Sequence, residues 1–317
     1  MKFVLKLLAA LGALAVIAIL GIVAHANMQI AKMEVRAPED NAPGRLMDVA
    51  GHKLHVVTRG DIAADATGAP VLMIHGFAAP GLATFMPWAE KLAAERALIL
   101  PDLLGYGHSE HITEPNDGFT ISAYSKSLAA LLDQLGVAQV DVVGHSFGAA
   151  IGARFALDYP ERVRRIILMD AGIYVERSAA EEIIEWPFVG RAIVWHAFGG
   201  GPMGLIGQYC RDKPDCNWMP SVMIKGTTDT LRAMMYTTRH SPDLAVLQAD
   251  LPKLAAPALV IWGADDMITP VAHGDRLARE IKAEYVVYAN TRHLPYIQQP
   301  DKVAERFLRF LRPEKAG

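Results

Sequence analysis

Seven short runs rich in apolar and β-branched residues, at 55–58, 70–74, 97–100, 140–143, 165–169, 258–262 and 285–288, recur along this chain. Between them, residues 122–135, 149–159, 271–281 and 301–311 place apolar side chains at helical spacing. Several of the runs are apolar almost throughout, as strands buried on both faces of a parallel sheet are. The alternation predicts an α/β domain, a mainly parallel sheet flanked by helices.

That alternation breaks once. From 172 to 250 strand-like runs give way to helical and loop patterns, with a capping box at Ser178-Ala-Ala-Glu181. The segment is expected to be a helical cap inserted into a core made of 45–171 and 251–317. Its aromatic and methionine side chains, Trp186, Phe188, Trp195, Phe198, Met203, Trp218, Met219, Met223, Met234, Met235 and Tyr236, are expected mostly to pack the cap onto the sheet. A polar linker, 27–44, precedes the core, and no internal repeat is visible.

Residues 1–26 stand apart. The 317-residue chain is 52% hydrophobic and 21% charged, with a mean hydropathy of +0.19, which is apolar for a soluble protein. Part of the excess lies in the uncharged run 7–24, preceded by Lys2 and Lys6. As a helix this run covers roughly 27 Å, close to a hydrocarbon core of about 30 Å, so a retained transmembrane anchor is expected. Cleavage as a signal peptide at Ala24-His25-Ala26 is the alternative. The expected placement is a cytoplasmic N-terminus with an exported catalytic domain, although Lys32 and Arg36 weaken the charge contrast. In that compartment Cys210 and Cys216 are expected to pair. A net charge of −3, with no block of Lys or Arg, excludes a nucleic-acid surface.

Gly144-His145-Ser146-Phe147-Gly148 follows an apolar strand and opens a helix of small residues. In this context the pattern is a tight strand-to-helix turn that lifts a serine hydroxyl at the end of the sheet. A neutral hydroxyl is a poor nucleophile and needs a histidine oriented by a carboxylate. Downstream, His273 falls inside a helical pattern, whereas His293 lies in the loop before the last helix and is the better-placed base. Asp265 and Asp266 end one strand and Asp170 an earlier one, and these residues alone leave open which orients the imidazole. His75 and His145 adjoin the site and are expected to be structural. His108-Ser-Glu-His111 lacks a third spaced metal ligand and reads as solvated loop.

Together with His75-Gly76-Phe77 and Asp102-Leu-Leu-Gly105-Tyr-Gly107-His-Ser109, these motifs resemble the α/β-hydrolase family, specifically its capped serine esterase and lipase-like branch. The resemblance runs from about residue 45 to 312. It implies an α/β-hydrolase fold with Ser146 as nucleophile, Asp266 as acid with Asp265 and Asp170 as alternatives, and His293 as base. It also implies an oxyanion hole from the backbone N–H groups of Phe77 and Phe147, with no cofactor and no metal.

The implied activity is hydrolysis of carboxylic esters carrying an apolar acyl or alkyl group, through an acyl-enzyme on Ser146. Expected partners are an apolar small-molecule ester and a membrane, with no obligate protein partner. Serine at the nucleophile position separates the chain from the dehalogenases and epoxide hydrolases of this fold. One alternative is the carbon–carbon bond hydrolase branch, often marked by Asn before the serine and Met-Gly-Gly after it. His145 and Phe147-Gly148-Ala149 depart from that pattern. The other alternative is a non-catalytic receptor for a small ligand.

Overall fold

The computed structural model describes residues 2–35, 44–63, 69–77, 81–174, 179–186, 188–198 and 226–312. Five strands, β3 (Val71–Ile74), β5 (Val140–His145), β6 (Val163–Met169), β7 (Ala258–Gly263) and β8 (Glu284–Tyr288), pair in parallel with β4 (Leu98–Pro101) or with one another. Two more, β1 (Arg45–Val49) and β2 (His52–Arg59), form an antiparallel edge on β4. The sheet order is β1-β2-β4-β3-β5-β6-β7-β8.

Successive side chains of a strand point to opposite faces, and the inner strands bury both. In β6, Ile166 and Leu168 enter one apolar cluster and Ile167 and Met169 the other. The first cluster is covered by α3 (Ile121–Gln134), α4 (Phe147–Asp158) and α8 (Val271–Glu280). The second is covered by α2 (Met86–Ala93) and α10 (Pro300–Leu311). A four-residue helix, α9 (Pro295–Gln298), leads into α10. The α/β core with helical insertions is thus present. The sequence reading lacked β1, whose residues are mostly exposed and carry no alternation, and α2, which is short and contains Pro87.

Between β6 and β7 the described helices are α5 (Val189–Phe198), α6 (Thr227–His240) and α7 (Asp243–Asp250). Trp195 and Met234 are buried, but Trp186 and Phe188 are 60% and 64% exposed, so these two aromatic rings do not pack the cap onto the sheet. Ser178 of the capping box, Cys210, Cys216, Met203, Trp218, Met219 and Met223 lie outside the described residues.

The N-terminal segment is one helix, α1 (Lys2–Met33), and its most apolar eighteen-residue stretch has no buried residue. Among the described residues, its buried positions lie toward its C-terminal end. Ala26 and Ile30 are fully buried, and the Asn27 side chain donates to the Phe188 carbonyl at 3.1 Å. Just beyond the helix, a Glu34 carboxylate oxygen accepts from the Thr228 backbone N–H at 2.7 Å and from the Thr228 hydroxyl, closing the open first turn of α6.

The approach of α4 to β3 leaves no room at Gly148, where an added Cβ would sit 2.2 Å from the Ile74 carbonyl oxygen and 2.3 Å from that of His75. Gly148→Ala must therefore push the helix away from the strand that leads to Phe77. We expect a loss of about 1–3 kcal/mol in urea unfolding, typical of overpacking. Turnover should fall by about 10²-fold, as a misplacement near 1 Å would cause.

Candidate active site

β5 ends at His145 and α4 begins at Phe147, so the chain reverses within the single residue Ser146. Its backbone adopts φ 53° and ψ −118°, a conformation strained for any residue with a side chain. The strain is held by main-chain bonds: Ser146 N–H donates to the Met169 carbonyl at 2.9 Å, and its own carbonyl accepts from Ala149 and Gly172.

The Ser146 hydroxyl lies 2.9 Å from Nε2 of His293, and Nδ1 of His293 lies 2.7 Å from Oδ2 of Asp266. A carboxylate can only accept, so His293 carries its proton on Nδ1 and leaves Nε2 to accept from the serine. Asp266 is fixed in turn. Its Oδ1 accepts from the N–H groups of Ile268 and Thr269 at 2.8 and 3.1 Å, and its Oδ2 accepts from the Thr269 hydroxyl at 2.6 Å. Burial alone would raise this carboxyl, but hydrogen bonding to His293, Thr269 and Ile268 holds it at about 2.

The other two candidate acids are placed differently. Asp265 is exposed, and its backbone N–H donates to the Thr291 carbonyl. Asp170 is fully buried; its Oδ1 accepts from the Gly263 N–H at 2.9 Å, and burial, with the nearby Asp266 charge, pushes its carboxyl well above the usual range. His273 sits within α8 against Tyr174. One ligand atom each of Asp170, Asp266 and His293 falls within 4.8 Å of the others. With both Asp266 oxygens already accepting hydrogen bonds and Nδ1 of His293 directed at one of them, the group fits an acid–imidazole pair.

Gly76 lets the loop carrying Phe77 close on the turn, since an added Cβ would stand 3.0 Å from Ser146 Cβ and 2.8 Å from Nδ1 of His145. Phe77 and Phe147 meet edge to face at 6.1 Å, and Phe147, first residue of α4, has no intrahelical acceptor for its N–H. Tyr106, Tyr124 and Met234 continue the wall. The Tyr106 ring stands 5.8 Å from that of Phe77, the Tyr124 ring 5.9 Å from that of Phe147, and the Tyr124 hydroxyl 3.1 Å from Met234 Sδ.

One supporting residue escaped the sequence reading, and for a second, His145, expected to be structural, the contact it makes was not foreseen. Thr269, three residues after Asp266, also lies 3.3 Å from Nδ1 of His293; the Asp-x-x-Thr spacing was its one local signal. His145 donates from Nε2 to the His293 backbone carbonyl at 2.7 Å, a bond spanning 148 residues that leaves no trace in local sequence. Burial and the neighbouring His293 ring push the His145 imidazole down to about 3, so it is a neutral donor.

His75 accepts from the Leu103 N–H at Nε2 and donates from Nδ1 to the Gly76 carbonyl, shaping the turn. His108 and Ser109 are buried, contrary to the solvated reading. Asp102 gathers this loop by accepting from the His108 N–H and from Nδ1 of His55.

The chain matches the α/β-hydrolase fold family over residues 69–197. It is 36% identical over 245 residues to a 2-hydroxy-6-oxo-2,4-heptadienoate hydrolase of Pseudomonas putida, covering 73% of this chain and 85% of the relative. A 2-hydroxymuconate semialdehyde hydrolase of Pseudomonas putida is 29% identical over 296 residues, 87% of this chain and 96% of that one. Among solved structures, a meta-cleavage product hydrolase from Pseudomonas fluorescens IP01 is alike in fold, with a TM-score of 0.65 at 21% identity over 84% of this chain and 97% of that one. The chain belongs to the α/β-hydrolase family.

These relatives overturn the expected esterase and lipase-like branch, its ester-cleaving activity and its apolar ester partner. The physical reason is that ester and carbon–carbon bond hydrolysis in this fold begin alike, with attack on a carbonyl and an oxyanion to be held. The departures at His145, Phe147 and Ala149 are three positions, and similarity along most of the chain outweighs them.

Asp170 gives a pH signature. Its folded pKa lies above the unfolded value of about 3.9. Its contribution is therefore complete below pH ~4 and lost as pH rises, because the unfolded chain ionises while the folded one stays protonated. Asp266, held low, has the opposite sign and loses its contribution as pH falls toward about 2. Asp170→Asn should remove the first slope. Urea midpoints at pH 5 and 8 should show the variant gaining on the wild type as pH rises, by up to about 1.4 kcal/mol per unit; a gap independent of pH would mean that Asp170 is ionised.

Proposed function

We propose that this protein hydrolyses a carbon–carbon bond in ring-opened 2-hydroxy-6-oxo-dienoates. The 36% identity with the 2-hydroxy-6-oxo-2,4-heptadienoate hydrolase, spread over 245 residues, carries this reading. The 2.9 and 2.7 Å spacings of Ser146, His293 and Asp266 support the roles that follow.

Breaking a C–C bond heterolytically requires an electron sink for the departing carbon. The substrate supplies it once its enol shifts to the 2-keto form, which conjugates C5 through C3=C4 to the C2 carbonyl. Ser146 passes its proton to His293 and adds to the C6 carbonyl, while Asp266 stabilises the imidazolium. The N–H groups of Phe77 and Phe147 hold the oxyanion. Collapse breaks C5–C6, the electron pair moves to the C2 oxygen, and His293 returns its proton to the dienolate. Water, deprotonated by His293, then releases the acyl group from Ser146. For a heptadienoate the net reaction adds one water and yields acetate and 2-hydroxypenta-2,4-dienoate.

The test is turnover of 2-hydroxy-6-oxo-2,4-heptadienoate, followed by loss of its conjugated absorbance and by acetate release, with p-nitrophenyl acetate run in parallel. Dienoate turnover should fall by about 10⁴–10⁶-fold in Ser146→Ala. Wild type that cleaves the ester and leaves the dienoate intact would sink the proposal.

The same proposal assigns α1 to a bilayer as a retained anchor, supported by the full exposure of its most apolar stretch. Burial of Ala26 within a continuous helix disfavours cleavage at the Ala24-His25-Ala26 site. Lys2 and Lys6 are assigned to the cytoplasmic side and the hydrolase domain to the other. A C-terminal reporter should then be active only outside the cytoplasm; cytoplasmic activity alone would reverse the orientation.

A further inference from the structure

The cap carries an apolar surface that the hydrolytic site does not use. Where the Phe188 carbonyl meets Asn27, α5 begins alongside α1, and Val189, Ala192, Ile193 and His196 line a groove with Ile19, Ile22 and Val23. Its volume is about 520 Å³, and its walls are almost wholly apolar. Ile19, Ile22 and Val23 belong to the uncharged run 7–24. At about 1.5 Å per residue, the groove lies level with the last two turns of that run.

Three further observations concern the same surface. Trp186 and Phe188, at the turn into α5, are 60% and 64% exposed. Both ring nitrogens of His196, at the groove wall, are buried without a hydrogen-bond partner among the described residues. The groove is also continuous with the bare flank of α1, where Ile17, Leu20 and Ile22 are 64%, 62% and 57% exposed. An apolar surface of this extent marks a contact with a partner or a membrane.

We propose that the cap is docked on the lipid surface. Acyl chains of the bilayer that holds α1 fill the α1–α5 groove, and Trp186 and Phe188 lie at the headgroup boundary as aromatic anchors. This rests on the anchoring of α1 proposed above. The bilayer is the occupant that α1 itself supplies, since a membrane holding residues 7–24 sets its lipids level with the groove, whereas a second copy must displace them. The depth of the cap is fixed because α1 is fastened to it at two points, Asn27 to Phe188 and Glu34 to Thr228.

The test uses the full chain in phosphatidylcholine vesicles, with and without bromine on the acyl chains near the glycerol. Flotation reports whether the chain is membrane-bound, and tryptophan emission reports which rings meet bromine. Trp186→Phe lies outside the hydrolytic site and should keep turnover while losing at least about a third of the bromolipid quenching seen in wild type. A chain that floats but shows the same quenching with and without Trp186 overturns the docked cap and leaves the anchor standing. A chain that does not float overturns the anchor, and the docking with it. A cross-linked dimer formed by Phe188→Cys in the vesicles, and not by wild type, would assign the groove to a second copy and overturn lipid as its occupant.

Discussion

Reversing a β-strand into a helix within one residue forces the backbone of Ser146 into φ 53° and ψ −118°, and most of the molecule around it exists to hold that turn. A side chain at Gly148 would meet two carbonyls of the neighbouring strand, and one at Gly76 would meet the serine itself. Small residues therefore line both sides of the turn, and the sheet on either side is apolar on both faces so that it stays rigid. The constraint is steric before it is chemical. Only with the turn in place does the hydroxyl stand 2.9 Å from an imidazole directly before the first residue of α4.

The chemistry is layered outward from there. His293 is oriented by Asp266, Asp266 by Thr269 and two backbone N–H groups, and Asp170 stands beside them fully buried, its carboxyl pushed up by burial and by the Asp266 charge. That shift disfavours a second negative charge beside Asp266, where like charges repel. On the opposite side, α6 brings Met234 to the Tyr124 hydroxyl, and the first turn of α6 is closed by Glu34 at the end of α1. The wall beside Ser146 is thus built partly on a helix whose first turn is closed from the end of α1.

Much of this was readable in the sequence, for physical reasons that differ by region. The inner strands announce themselves because burial on both faces leaves almost no polar residue in Val71–Ile74 or Ala258–Gly263. The edge strand Arg45–Val49 does not, because only Val49 is buried. The serine turn is legible because its sterics demand glycine at fixed offsets. The contact of His145 with the His293 carbonyl is not, because it joins residues far apart in the chain, and Thr269 left only a three-residue spacing from Asp266. The nature of the scissile bond was least legible, since a serine, a histidine and a carboxylate face any carbonyl in the same way, and what leaves afterwards is decided by the substrate's own electrons.

The bond from His145 to the carbonyl of His293 ties the residue beside the nucleophile to the backbone of the base. His145 ends β5 and His293 lies in the loop before α9, so the bond joins the strand that leads to Ser146 to the loop that carries the imidazole. With its carbonyl held in this way, the freedom most readily left to the His293 imidazole is rotation about its own side-chain bonds. A reacting group has to come within the sweep of that ring, so reach is set by how the bound molecule bends rather than by movement of the loop.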